Sequence, residues 1–143
     1  MGPSDIWRAR ASTAEAIALL VVARLLVAKV GLARWRSSLG RPSRPEAGDP
    51  SLRLPANLVP RRLARAVERA ARRLPGENLC LAQAMALQWM LRRRRLGGML
   101  VIGVRPALSR GGLDDLHAWV VRQGEVLIGA TAEPHHPIFA AGV

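Results

Sequence analysis

Apolar residues recur at helical spacing near the start of the chain. Over residues 14–35 they follow the i, i+3, i+4, i+7 pattern that places side chains on one face of a helix. This stripe is formed by Leu19, Val22, Ala23, Leu26, Val27 and Val30. Ser12 or Thr13 is positioned to cap the helix. Because Val21 and Leu25 are apolar and lie off the stripe, we expect the helix to be buried on more than one side.

The same segment is not predicted to cross a membrane. A spanning helix needs about 20 almost uncharged residues, and Arg24 and Lys29 interrupt the apolar run here. A secretory signal peptide would use Arg8 and Arg10 as its basic region, but Glu15 follows them and no convincing small-residue cleavage site is present. We therefore expect a cytoplasmic protein without a membrane span.

Residues 37–60 contain five prolines and two glycines, which break regular structure over most of the stretch. We interpret it as a connecting arm. A second helix is predicted over about 60–74, ended by Pro75 and Gly76. One face of this helix is apolar and arginines occupy the remainder. These arginines either face solvent or dock an acidic partner, and the sequence leaves both interpretations open.

The pattern changes from helical to alternating in the C-terminal half. A third helix is predicted over about 79–95, ended by Gly97 and Gly98. Beyond it, alternating apolar positions predict three strands, at 99–104, 116–122 and 125–130. Gln123 and Gly124 form a two-residue turn that joins the last two strands as an antiparallel hairpin. The predicted class is α+β, with N-terminal helices followed by a helix packed on a small antiparallel sheet.

Length and composition agree with one domain. The chain has 143 residues, half of them apolar, which suffices for one hydrophobic core. We divide it into an apolar helix and proline-rich arm over 1–60 and a core over 61–143, expected to form one compact unit. The net charge of +12 favours an acidic partner. With four tryptophans, one phenylalanine and no tyrosine, the chain lacks the aromatic platform of a single-strand nucleic-acid binder.

The single cysteine, Cys80, lies at the predicted start of the third helix. One cysteine excludes an intramolecular disulfide and the zinc sites that need several thiolates, so we expect a reducing environment. A helix N-terminus lowers the pKa of a thiol and favours the nucleophilic thiolate. A lone cysteine is also commonly a buried structural residue, so this position alone does not assign its role.

His117 is the candidate general base for this thiol. It lies on the second predicted strand, and a histidine on a sheet beside the start of a packed helix can take a proton from a cysteine there. Trp119 alternates onto the same face, where it either walls the cleft or packs in the core. The backbone N–H of Cys80 is the expected oxyanion donor, with Gln83 as a weaker candidate.

Two adjacent histidines, His135 and His136, lie between prolines in a predicted loop. Adjacent side chains on an extended segment point apart, and no third and fourth donor accompanies them. We therefore predict no metal site.

The order of a cysteine at a helix start, a strand, a histidine on the next strand and a hairpin is the core of transglutaminase-like and papain-like thiol enzymes. Over residues 78–129 the sequence closely resembles the transglutaminase-like leader peptidases of lasso-peptide biosynthesis. The similarity is carried by Cys80-Leu81-Ala82-Gln83-Ala84, by Leu91 with Arg92 to Arg95, by Ile102-Gly103-Val104-Arg105 and by His117-Ala118-Trp119-Val120. The apolar N-terminal helix and the arm are also similar, though less specifically.

The resemblance implies a catalytic cysteine and histidine completed by an aspartate on the strand after the histidine. The predicted turn makes His117 face Ala130, and the window 128–132 contains no acid. Glu133 is the nearest carboxylate and is the candidate third catalytic residue, provided that the strand bulges. A backbone carbonyl is the open alternative. Asp114 and Asp115 are interpreted as loop residues, and Glu125, at the turn, as too distant.

The resemblance further implies a cysteine peptidase that removes the leader from a ribosomally made lasso-peptide precursor. Its implied partners are the precursor leader, a separate leader-recognition protein and a macrolactam cyclase. ATP dependence is associated with the family, but the chain has no glycine-rich phosphate loop, so we expect no cofactor site in it.

Two other functions stay open at this point. One is a basic nucleic-acid-binding module, and the other is a non-catalytic scaffold with a thiol-enzyme fold. Both would keep their function in a Cys80→Ala variant, whereas a peptidase would not.

Overall fold

The computed structural model describes residues 2–45, 48–49, 51–55, 58–76, 80–106, 116–131 and 134–143. The α helices of this part are α1 (Pro3–Lys29), α2 (Leu32–Trp35), α3 (Val59–Arg73) and α4 (Cys80–Arg93), and a 3₁₀ helix spans Arg36–Leu39. The strands are β1 (Arg41–Pro42), β2 (Met99–Val104), β3 (Leu116–Arg122), β4 (Glu125–Ile128) and β5 (His136–Gly142). The predicted α+β class, with helices packed on an antiparallel sheet, is confirmed.

The first helix is longer at its start than the apolar pattern predicts. Pro3 occupies the first turn, where its missing N–H costs nothing, and Gly2 precedes the helix in an extended conformation. Thr13 lies in the middle of α1 and its hydroxyl donates to the Ala9 carbonyl at 2.8 Å. The prediction that Ser12 or Thr13 caps the helix is therefore wrong, because the polar segment before residue 14 is also helical.

One face of α1 packs into the core and the other faces outward. Ala16, Leu20 and Ala23 are almost completely buried in the cluster that α1 shares with α3 and α4. Val21 and Leu25 are 43% and 57% exposed. Burial on more than one side is therefore wrong, because in the described part of the chain only one face of α1 meets other helices.

By length and composition alone, α1 is the one helix among the described residues that could cross a membrane. Polar contacts tie it to the rest of the fold. Glu15 accepts hydrogen bonds from Arg93 at 3.0 Å and Arg94 at 2.6 Å. Arg24 donates to the Pro75 carbonyl at 2.7 Å.

Helix α4 lies at the centre of the molecule. Its buried residues contact α1, α3, β2 and β3. Gln88, fully buried on this helix, donates to the Leu39 carbonyl at 2.9 Å and to the Ala141 carbonyl at 3.0 Å. Since these carbonyls belong to the 3₁₀ helix and β5, one amide joins α4 to both elements.

The sheet contains two strands that the alternating pattern does not reveal. Its order is β1-β5-β2-β3-β4 and all pairings between strands are antiparallel. Residues 136–142, predicted to begin in a loop, form β5 beside β2, with a register shift between Ile102 and Gly103. The sequence does not predict this strand because it contains Pro137, and proline is disfavoured within a sheet.

The hairpin of β3 and β4 departs from the register that its turn predicts. Val121 pairs with Val126 as expected, but Val120 pairs with Ile128 because a bulge intervenes. Strand β4 ends at Ile128, so the expected pairing of His117 with Ala130 is wrong.

The proline-rich arm covers the sheet as well as connecting helices. Strand β1 pairs with β5 at one edge. The Asp49 N–H donates to the Gly124 carbonyl at 2.8 Å at the other end of the sheet. Between them, Gly48 packs on Val121 and Val126, members of a hydrophobic cluster separate from the one that contains α4. Among the described arm residues, then, short segments dock on the sheet. The predicted boundary at residue 60 falls within α3.

Candidate active site

Packing of α4 on the sheet brings the helix start to β3. Cys80 is the first residue of α4 and is partly buried. The Cys80 sulfur accepts hydrogen bonds from the backbone N–H groups of Ala118 and Leu81, and it is hydrogen-bonded to the His117 side chain. The two residues singled out in the sequence, 37 positions apart, are thus in direct contact.

These contacts set the charge state of the thiol. Burial by itself raises the pKa of Cys80, because a thiolate loses water there. The hydrogen bond with His117, the backbone N–H of Ala118, the positive charge of the imidazolium and the N–H of Leu81 act in the opposite direction. Together they outweigh burial, and the pKa of Cys80 lies below its ordinary value.

A backbone carbonyl orients the imidazole. Nε2 of His117 lies 2.5 Å from the carbonyl oxygen of Gly129. A carbonyl can only accept a hydrogen bond, so Nε2 carries a proton and donates it. We infer that Nδ1 is the nitrogen that faces the thiol. The Gly129 carbonyl thus orients the imidazole, a role for which the resemblance to leader peptidases implies an aspartate.

Gly129 adopts a conformation that favours glycine. Its φ is +82°, and a Cβ at this position would lie 2.4 Å from the Ala118 carbonyl oxygen. The residue follows the end of β4, where the bulged hairpin brings its carbonyl to His117. A glycine after a predicted strand is a signal for such a turn, but the sequence does not show where its carbonyl points.

Of the four acidic candidates, only Glu125 belongs to the described residues. Glu133, Asp114 and Asp115 lie outside the described residues. The Glu125 carboxylate is buried, accepts the Leu54 N–H at 3.0 Å and lies 4.0 Å from Arg61. It therefore joins the arm to α3.

Two further rings surround His117. Trp119 stacks beside it with ring centroids 5.9 Å apart, and the His135 ring lies 5.1 Å away. Gly103 makes room for both, since a Cβ there would lie 2.8 Å from the Trp119 ring and 3.0 Å from His135. The sequence suggests only a metal-binding role for His135, since it does not predict the strand β5 that begins at the next residue.

The described residues include no group of three or more His, Cys, Asp or Glu side chains arranged to hold a metal ion. His136 is exposed at the start of β5. Gln83, one turn after Cys80, lines a cavity between α3 and β4.

This arrangement can perform nucleophilic acyl chemistry, because it joins a thiol of lowered pKa to an oriented imidazole at a helix start. A family model described as the transglutaminase-like superfamily matches residues 17–139. No curated protein and no solved structure gives a significant match. The match covers most of the chain and includes both residues of the pair. The chain belongs to the transglutaminase-like superfamily.

Proposed function

We propose that the protein is a cysteine peptidase that removes the leader peptide from a ribosomally made lasso-peptide precursor. The observation that carries the peptidase chemistry is the hydrogen-bonded chain from Cys80 through His117 to the Gly129 carbonyl. The choice of substrate rests on the motifs around Cys80 and His117 that resemble leader peptidases.

In the proposed reaction, His117 takes the thiol proton and the sulfur attacks the scissile carbonyl carbon. The C–S bond forms and a tetrahedral oxyanion develops. The backbone N–H of Cys80, at the start of α4, is the proposed donor to this oxyanion. When the C–N bond breaks, the imidazolium gives its proton to the leaving amine. Water then attacks the thioester, His117 accepts a proton from that water, and the thiol is regenerated.

The Gly129 carbonyl holds the imidazole without adding a negative charge. A neutral acceptor stabilises an imidazolium less than a carboxylate does. The cysteine compensates in part, because a thiolate is intrinsically a strong nucleophile. The geometry therefore supports catalysis with Cys80 and His117 as the reacting pair. Glu133 lies outside the described residues and stays a prediction from the sequence.

We further propose that a separate recognition protein presents the precursor and that a macrolactam cyclase acts next. Basic residues on the outer face of α3 are the proposed docking site for an acidic segment of the precursor or partner. Arg69 also donates to Thr13 at 3.2 Å and so contributes to the packing of α1 on α3. Arg65 is exposed and is therefore the cleaner position for charge reversal.

We propose a cytoplasmic location, with α1 acting as a core helix. The contacts of Glu15 with Arg94 and of Arg24 with Pro75 support this assignment, since both would be lost if α1 left the fold for a bilayer.

The test is to mix the protein with a candidate precursor and its recognition partner and to follow leader release by mass spectrometry. Wild type should release the leader, while Cys80→Ala and His117→Ala should lose at least about a thousandfold in rate. His136→Ala, an exposed histidine, is the matched control and should retain the wild-type rate. Undiminished processing by Cys80→Ala would favour a scaffold or a nucleic-acid-binding module.

A further inference from the structure

A basic cavity lies beside the proposed catalytic pair. It is enclosed by α3, β4 and the arm and has a volume of about 340 Å³. Its walls include three arginines, an amide and the main chain that follows β4. These are Arg53, Arg61, Arg65, Gln83, Gly129 and Ala130.

Two residues connect this cavity to the reacting groups. Gly129 lines the cavity and its carbonyl accepts the hydrogen bond from His117. Gln83 lines it from α4, three residues after Cys80. The cavity therefore adjoins both the helix that carries the thiol and the carbonyl that binds the imidazole.

The cavity has more positive than negative groups. Three guanidinium groups face two carboxylates, those of Glu68 and Glu125. The Glu125 carboxylate is already engaged by the Leu54 N–H and lies next to Arg61. Arg53 and Arg65 are exposed at the rim, where an entering group would meet them.

We propose that this cavity binds an acidic side chain of the substrate peptide, so that the enzyme prefers a glutamate or aspartate near the cleaved bond. The inference rests on the proposed peptidase function and adds a substrate class to it. Guanidinium groups suit this ligand, since their planar donors match the two oxygens of a carboxylate. A nucleic acid is the less suitable occupant, because the described lining contains no aromatic ring on which a base could stack.

The experiment measures protection of Cys80 against iodoacetamide by blocked hexapeptides, followed by intact-protein mass. Each peptide is alanine at every position but one, which is glutamate in one member of a pair and glutamine in the other. Six such pairs place the charge at each position. For at least one pair, we expect the glutamate peptide to protect at about fivefold lower concentration than the glutamine peptide.

Two variants should change the glutamate preference in opposite directions. Arg65→Gln should abolish the glutamate preference, whereas Glu68→Gln should increase it by removing a competing carboxylate. Arg34→Gln is the matched control, because Arg34 is exposed on α2, away from the proposed docking face of α3, and does not line the cavity. The glutamate preference should also weaken as salt is added.

The outcomes separate this inference from the peptidase proposal. Absence of any glutamate preference, or its equal loss in Arg34→Gln, would overturn the cavity assignment while leaving the catalytic pair intact. Equal alkylation rates in wild type and His117→Ala would instead contradict the peptidase proposal. Protection by a short oligothymidylate but by none of the peptides would assign the basic cavity to nucleic acid.

Discussion

The imidazole of His117 donates through Nε2 to the main-chain carbonyl of Gly129, over 2.5 Å. The orienting group is thus fixed by backbone conformation, and substitution of a side chain cannot remove it directly. What can disturb it is a change in the conformation that the backbone adopts at residue 129.

Gly129→Ala should therefore impair both folding and catalysis. An added Cβ would approach the Ala118 carbonyl oxygen to 2.4 Å, and the φ of +82° is unfavourable for alanine. We expect a loss of about 1–3 kcal/mol in the free energy of unfolding. Leader release should slow more than the fraction of folded protein explains, because the carbonyl moves away from His117. Chemical unfolding and cleavage rates measure the two effects.

Gly31→Ala is the control for this prediction. A Cβ at Gly31 meets nothing within 4 Å, and its φ of −68° suits alanine. A similar loss of activity in both variants would show that the conformation of Gly129 has no special role.

The reactivity of Cys80 should depend on pH in a way that reports its partner. Alkylation by iodoacetamide increases as the thiol loses its proton, and the pKa of Cys80 is lowered. In wild type the rate should therefore rise at a lower pH than in a free cysteine. His117→Ala removes a hydrogen bond and a positive charge but leaves burial, which raises the pKa. We expect the profile to move to higher pH; an unchanged profile would contradict the contact.

Glu15 should stabilise the packing of α1 on α4 only above acidic pH. The hydrogen bond from Arg94 lowers the pKa of Glu15, outweighing the burial that raises it. A carboxyl with a lowered pKa in the folded state contributes stability at neutral pH, and this contribution is lost as the pH falls through that pKa. Glu15→Gln should cost about 1 kcal/mol at neutral pH, and this cost should disappear at acidic pH, once Glu15 is protonated.

Urea unfolding at the two pH values measures this effect. Asp5→Asn is the control, since Asp5 lies 4.0 Å from an exposed Arg8. Its effect should stay within about 0.5 kcal/mol. If Glu15→Gln lowers the free energy of unfolding equally at both pH values, the carboxylate charge does not contribute to stability.

Gln88→Leu should be among the more destabilising single substitutions. The amide donates to Leu39 and Ala141 carbonyls in the buried centre. Leucine would leave both carbonyls without this donor, at a cost of about 2–4 kcal/mol. Thermal and urea unfolding provide the measurement. Gln83→Leu, the same substitution at a half-buried position of the same helix, should cost less, and equal costs would contradict the bridging role.

Much of the local structure follows from short-range patterns. The ends of α3 and α4 and the whole of β2 and β3 lie within two residues of their predicted bounds. Helix-breaking residues such as Pro75 and Gly97 mark the ends of the two helices. Local patterns suffice to predict these bounds because backbone preferences act over a few residues. The pattern failed for α1, whose polar first turns are helical, and for β5, whose start contains a proline.

The sequence also predicts only part of the candidate site. Cys80 and His117 were predictable from the sequence. Their residue types suit a nucleophile and its base, and the local pattern places them at a helix start and on a strand. The third partner was not predictable as a residue, because a bulge between Val120 and Val121 changes the register by one position. A backbone carbonyl is also present in every residue, so the residue type does not indicate which carbonyl contacts His117.

The sequence by itself determined the class of the elements, the nucleophile and its base, since these depend on local pattern and on the chemistry of individual side chains. Only the tertiary structure decided that Gly129 orients His117, that His135 packs against it and that three arginines meet beside Gln83. Such contacts join residues far apart in the chain. They depend on register, bulges and the covering arm, which arise from packing of the whole molecule.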